Sequence, residues 1–346
     1  MDNLTWKKLF NTLLMALCVV SFAACSQSEI HPEADVKAEV DENPPENTEV
    51  PEPGMLFPDH SMAGKIWDEK AKKFISKGQL IQSVRDSDYV LLGETHDNPV
   101  HHQGQAWVIE QLSVNGRPAQ VAFEMIAQQQ GEFIAGKDFE TADVLIAALG
   151  HVPSTWDYER FYKPVFERAL EAGYGVYAAN YDRDKIMSIA REGVEKIPPS
   201  VKHKMDSTVL SDEQIAASRK EIEGSHCGMI NDIMTASMML VQRAKDALMA
   251  QSMESSSAVN VLIAGSGHVR NDRGVPVYLP QADGKKIVTI AWVEVQLEMR
   301  DVASYADYWG SQQLPFDYVW FTPRVDRPDP CVQFREHMKN REQAES

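Results

Sequence analysis

Tyr89-Val90-Leu91-Leu92-Gly93-Glu94-Thr95-His96-Asp97 is a short apolar run closed by a glycine, two acids, a hydroxyl and an imidazole. The run has the length of a buried strand and is too short for a core helix. A helical pattern follows from His101 to Leu112, and the next apolar run, Val121-Ala122-Phe123, ends at Glu124. Helical patterns begin at about Ile126 and at Thr141. A helix from Pro164 to Glu171 leads through Gly173 into Val176-Tyr177-Ala178-Ala179. Further strand-like runs are Val259 to Ala264, Val275 to Leu279, Ile287 to Val295 and Tyr318 to Phe321. Short continuous apolar strands alternating with helices predict an α/β fold, a mostly parallel sheet flanked by helices.

Between Asp184 and Gln251 the strand signal disappears, and two or three helices fit. The segment 185–251 is read as a small all-helical insertion, and 59–184 with 252–346 as the α/β domain. Met229, Met234, Met238, Met239, Met249 and Met253 fall in one of these helices. They form either a helix packed with adaptable side chains or a flexible apolar surface for a large flat ligand.

The chain opens as a secretory leader. Lys7 and Lys8 precede an apolar stretch from Leu9 to Ala24, which is too short for a comfortable membrane span and ends Phe22-Ala23-Ala24-Cys25. Small residues before a cysteine form the lipobox pattern, which makes 1–24 a lipoprotein signal peptide and Cys25 the lipidated residue. Phe22 departs from the usual aliphatic residue, and ordinary cleavage after Ala24 or a retained anchor are the rival readings. Ser26, where an aspartate would mark inner-membrane retention, favours the outer membrane, with the folded part facing the periplasm. From Cys25 to residue 58 the chain is acidic and proline-rich, with Lys37 as its one basic residue, and reads as an extended self-repelling linker. It carries about half of the formal net charge of −17, so the acidity says little about the folded part. No basic stripe is present, which argues against a nucleic-acid partner.

Three strands end in an acid or a histidine: Gly93-Glu94-Thr95-His96, Phe123-Glu124-Met125 and Gly265-Ser266-Gly267-His268. Ligands of open parallel sheets bind outside the carboxyl ends of the strands. Glu94, His96, Glu124 and His268 are therefore expected to converge, as ligands of a divalent metal or as a general acid/base set. Gly265-Ser266-Gly267 is not a nucleophile elbow, because Ala264 and His268 stand where glycines are needed. There is no phosphate loop and no H-E-x-x-H helix. His101 and His102 open a helix beside this cluster, either as a solvated helix start or as rim ligands.

On these residues the chain resembles the ChaN-like haem-binding lipoproteins, in the wider superfamily of the Tiki proteases and erythromycin esterases. The resemblance is carried by Leu91-Leu92-Gly93-Glu94-Thr95-His96-Asp97-Asn98-Pro99-Val100-His101-His102, Ala178-Ala179-Asn180, Ser225-His226-Cys227-Gly228, Gly265-Ser266-Gly267-His268-Val269-Arg270 and the tail from Phe321 to Cys331. It implies an α/β domain with a small helical domain, and haem binding in iron acquisition with haem held between protomers of a homodimer. The hydrolytic members imply an alternative, a metal-dependent esterase or peptidase at Glu94/His96/Glu124/His268. A structural or assembly lipoprotein is a third reading, which leaves the strand-end acids unexplained. Haem needs an axial Tyr, His, Met or Cys, and His226 and Tyr181 are the candidates. Cys18 leaves with the leader and Cys25 takes lipid, so Cys227 and Cys331 are the remaining thiols and are expected to pair in an oxidising compartment. The rivals are two reduced cysteines, or Cys227 as a soft ligand to haem iron.

Overall fold

The computed structural model describes residues 54–114, 116–254, 259–280, 284–332 and 335. The leader, Cys25 and the linker up to residue 53 lie outside the described residues. An eight-stranded sheet forms the centre. Its strands are β2 (Ile66–Asp68), β3 (Lys73–Ile75), β4 (Tyr89–Glu94), β5 (Ala119–Ala127), β6 (Gly175–Asn180), β7 (Val259–Gly265), β8 (Ile287–Glu294) and β9 (Tyr318–Thr322). They lie in the order β3-β2-β9-β8-β4-β7-β5-β6. The six from β9 to β6 run parallel, and β2 joins β9 and β3 antiparallel. A separate ribbon pairs β1 (Met55–Leu56) with β10 (Arg324–Val325).

Side chains alternate across the sheet with the two-residue period of a strand. On β4, Val90 and Leu92 face one apolar core and Leu91 the other. The first core is covered by α1 (Lys77–Val84), α2 (Pro99–Ser113), α3 (Gln128–Ile134), α4 (Ala142–Leu149) and α5 (Lys163–Glu171), with a π-helical turn at Tyr158–Tyr162. α2 starts at Asn98, whose side chain accepts the Val100 N–H at 3.0 Å, with Pro99 in the first turn. It packs so closely on β8 that a Cβ on Gly104 would lie 2.2 Å from the Trp292 indole nitrogen.

The second face is covered by α6 (Arg183–Glu192), α7 (Pro199–Ser207), α8 (Asp212–Ser225) and α9 (Asp232–Ser252). Four helices stand where two or three were expected. The breaks are local rather than periodic. Pro198-Pro199 bars the preceding residue from helix. Ser211 opens α8 with a capping box to Gln214, and Asn231 caps α9. Met229 and Met253 therefore flank α9 instead of lying in it, and His226 caps the end of α8. Val275–Tyr278, expected as a strand, is a 3-10 turn. Pro276 within it has no N–H to give a ladder. α10 (Val302–Tyr308) lies before β9. No described helix is long and apolar enough to cross a membrane.

Candidate functional site

β7 lies between β4 and β5, so three strand ends meet side by side. Glu94 is the last residue of β4. Glu124 sits where β5 leaves its neighbours, since pairing to β7 ends at Phe123 and pairing to β6 slips between Phe123 and Ala127. After β7 the chain turns tightly, His268 N–H donating to Gly265 O at 2.9 Å, which returns the imidazole over the strand ends. Gly265 leaves the room for this, because a Cβ there would lie 3.0 Å from His96 Nε2.

The four expected residues are brought together as two linked pairs. Glu94 Oε1 lies 2.8 Å from His96 Nδ1 and accepts the Tyr162 hydroxyl at 2.7 Å; Oε2 lies 3.2 Å from His102 Nδ1. Glu124 Oε2 accepts the Gly265 N–H at 2.9 Å, and Oε1 accepts the Lys245 ammonium at 2.7 Å. His268 Nε2 lies 3.2 Å from Glu124 Oε1, while Nδ1 lies 2.5 Å from Asp246 Oδ1. The pairs approach through His96 Nε2, 3.9 Å from Glu124 Oε2.

Burial and charge oppose each other here. Burial raises the Glu94 carboxyl, but His102 and His96 outweigh it and hold the group below the usual carboxylate range. Burial likewise raises Glu124, and His268 and Lys245 pull it well below. For His268, burial lowers the imidazole, yet Glu124 and then Asp246 push it up to about 9 against the opposing charge of Lys245. Burial also lowers His96, and its hydrogen bond to Glu94 and the charge of Glu124 raise it overall. Asp246 is raised by burial despite His268. These are the opposed shifts expected where charged groups are held together out of water.

As it stands, the cluster is an ion-pair network with Lys245 seated among the donors. Among the described residues no group of three or more His, Cys, Asp or Glu is arranged to hold a metal ion. His101 and His102 are neither a solvated helix start nor rim groups, for both are fully buried. His101 Nδ1 accepts the Thr95 N–H at 2.8 Å, and its other nitrogen lies 2.8 Å from Thr322 Oγ1. Burial holds its pKa well below the ordinary value. It is a neutral bracket for the β4 turn.

Four residues that complete the site had not been singled out: Tyr162, Gln242, Lys245 and Asp246. The last three stand on one face of α9, at the three- and four-residue spacing of a helix, and Gln242 Nε2 lies 3.1 Å from His268 Nδ1. That spacing was readable; the partner it faces was not.

The cluster forms one wall of a cavity of about 760 Å³, within the ~300–1,000 Å³ typical of small-molecule sites. Met187, Ile222, Met238 and Val241 supply apolar lining. Tyr181 and His226 also line it. The Tyr181 hydroxyl is buried and meets no hydrogen-bond partner, and burial raises its pKa. His226 Nδ1 lies 2.7 Å from Ile222 O. Arg327, Asp329 and Pro330 of the C-terminal tail complete the lining, and Cys331 beyond them is disulfide-bonded to Cys227, with a Cα separation of 5.8 Å.

Among solved structures, the chain is similar to ChaN of Campylobacter jejuni, in a structure of cofacial haem binding to that protein. The TM-score is 0.58 and the identity 23%, with 74% of this chain and 95% of that chain covered. A mutant of the erythromycin esterase EreC in its open conformation matches with a TM-score of 0.41 and 11% identity, covering 73% of this chain and 95% of that one. No curated protein matches the chain. The family model described as haem-binding uptake, Tiki superfamily, ChaN matches residues 80–279. That span runs from α1 through the strand-end cluster and the four-helix segment to the turn after β7, more than half of the chain, and the chain therefore belongs to this family.

Proposed function

We propose that this protein binds haem in the cavity between the strand ends and the helices α6, α8 and α9, as a lipoprotein held by Cys25 at the outer membrane and serving haem or iron acquisition in the periplasm. The observation that carries the reading is the large, partly apolar cavity lined by both candidate iron ligands, Tyr181 and His226. The Tyr181 hydroxyl is buried without a partner, which is costly; turned into the cavity it would offer a tyrosine oxygen, a known ligand of haem iron. The fit extends to His226. Its Nδ1 is close enough to donate to Ile222 O, the kind of second hydrogen bond that orients a ligating imidazole through its non-ligating nitrogen. Met187, Ile222, Met238 and Val241 would pack on the porphyrin face. When bound, haem supplies the iron, whose positive charge favours the tyrosinate that burial alone disfavours. Two copies would share the haem, so loading would draw monomer toward dimer.

The test is titration of the soluble protein with hemin. A Soret band shifted from that of free hemin, and a larger species on gel filtration, are expected at micromolar concentrations. In Tyr181→Phe the band should move or weaken while the fold, read by circular dichroism, is unchanged. No spectral change in the parent protein would remove the proposal.

A second reading, hydrolysis at Glu94/His96/Glu124/His268, is favoured by one observation, the Asp246–His268–Glu124 line of contacts. His268, charged at neutral pH and held through Nδ1 by Asp246, is placed as a general acid. Titration with Co²⁺ or Zn²⁺ and assay with an activated ester, each with and without Glu124→Gln, tests it. No metal uptake and no turnover would retire it.

A further inference from the structure

The C-terminal tail is anchored twice. At its first end Arg327 donates to Asp97 at 2.7 and 3.0 Å and to Glu294 at 2.6 and 2.8 Å, fixing it to the turn after β4 and the end of β8. Asn98 adds to this anchor, donating to Glu294 and to Pro323 O. At its second end Cys331 is bonded to Cys227, directly after His226 at the close of α8. Between the anchors run Pro328, Asp329 and Pro330, and the last two line the cavity. The tail therefore spans from the sheet to the helical segment along one side of the ligand space. Two prolines in three residues restrict its backbone, so it behaves as a stiff strap rather than a slack loop. Neither cysteine is fully buried.

We propose that this strap is a thiol-sensitive latch on the cavity: reduction of Cys227–Cys331 by a dithiol frees its second end and speeds release of the bound ligand. The exchange balances. One thiolate of the dithiol attacks a cysteine sulfur to give a mixed disulfide, and its second thiol displaces that bond. Cys227 and Cys331 gain two electrons and two protons, and the dithiol leaves as a disulfide. Arg327 stays clamped by Asp97 and Glu294, so the freed segment pivots there. The same bond holds the end of α8, so reduction also loosens the seat of His226. Breaking the closure of so long a loop relieves a constraint on the chain without touching the sheet.

The latch itself is read from the strap, and the ligand arm of the test rests on the haem reading above. Hydrogen exchange of the full-length protein, without ligand, is compared between the oxidised protein, the phosphine-reduced protein and the Cys227→Ser/Cys331→Ser variant. Exchange at 329, 331 and 332 and around 224–230 should rise on reduction and in the variant, while β4 and β7 stay protected. Equal protection of the strap in reduced and oxidised protein would overturn the latch. If the double variant does not fold, the reduced parent protein decides. In the second arm, hemin transfer to apomyoglobin should be severalfold faster from the double variant than from the oxidised parent. An unchanged transfer rate with hemin bound overturns the latch and leaves haem binding standing. Failure of hemin to bind the oxidised parent overturns haem binding, and the exchange arm then decides the latch alone.

Discussion

Removing the charged imidazole of His268 should flatten the alkaline limb of the stability curve. His268 is nearly fully buried between Glu124 and Asp246, and its folded pKa stands at about 9 against an ordinary value of 6.5. A group raised on folding contributes its full stabilisation below the unfolded value and loses it as pH climbs through the folded one. At about 1.4 kcal/mol per pH unit, the interval is worth about 3 kcal/mol. Most of that should vanish between pH 6.5 and 9. Glu94 and Glu124 are depressed, so their contribution is lost only on the acid side, outside this window. His96 is raised and titrates in the same direction, so the parent slope alone does not isolate His268. The comparison is with Asp246→Asn/His268→Gln, in which Asp246 is not left as an unpaired buried acid. Urea unfolding with the disulfide intact, from pH 6 to 10, gives both curves. They should converge by about 3 kcal/mol as pH rises through this range. Parallel curves would refute the charged His268–Glu124–Asp246 arrangement.

Glu124→Gln leaves Lys245 and His268 without their shared carboxylate, and breaking one side of a buried pair costs roughly 3–5 kcal/mol; urea midpoints check it, and a loss below about 1 kcal/mol would mean the network is solvated. Gly104→Ala forces a methyl onto the Trp292 indole, and overpacking of this kind costs about 1–3 kcal/mol, readable as a lower melting temperature together with altered tryptophan fluorescence. Cys25→Ser should abolish acylation and release the protein from membranes; if the variant still fractionates with the outer membrane, the lipid anchor is not at Cys25. Intact-mass measurement after alkylation, with and without reductant, should show no free thiol at Cys227 or Cys331 before reduction.

The parallel part of the sheet was legible because its signals are local, whereas the three-residue antiparallel strands β2 and β3 were missed, being too short to show a pattern. Most of the parallel strands are short apolar runs, and a strand buried on both faces, as β4 and β7 are, needs no partner to be recognised. Val275–Tyr278 passed the same filter and failed, because Pro276 breaks a ladder that composition alone does not exclude. The helical segment was legible as helical but not in number. Its methionines blur the 3.6-residue period, and its boundaries are set by caps at Ser211 and Asn231 and by Pro198-Pro199. Adjacent histidines at a helix start look solvated in sequence. His101 and His102 are instead buried, because the first turn of α2 docks under the β4 turn and beside Tyr162, whose ring lies 4.7 Å from that of His102.

For the site, the same contrast separates the acids from their partners. Glu94, Glu124 and His268 advertise themselves as strand-end residues, and strand order then forces them together. Lys245 and Asp246 sit in a helix where a charged pair is most simply a solvated face. They acquire meaning only once α9 is laid across the ends of β5 and β7. That placement carries a consequence for how the site is built. Glu124 has Gly265 N–H on one oxygen, supplied by the sheet, and Lys245 on the other, supplied by the helix. His268 comes from the sheet side, yet its Nδ1 partner comes from the helix. Glu94 finds its partners in His96, His102 and Tyr162 on the sheet side, but Glu124 and His268 do not, so their half of the cluster is complete only with the helical segment docked. Measured against apolar side chains of the same shape such buried pairs add little, but once α9 has docked, breaking one side is costly, so they fix the register of α9 on the sheet. Because α9 also carries Met238 and Val241 into the cavity, the register set by Lys245 and Asp246 determines which apolar surface a flat ligand would meet.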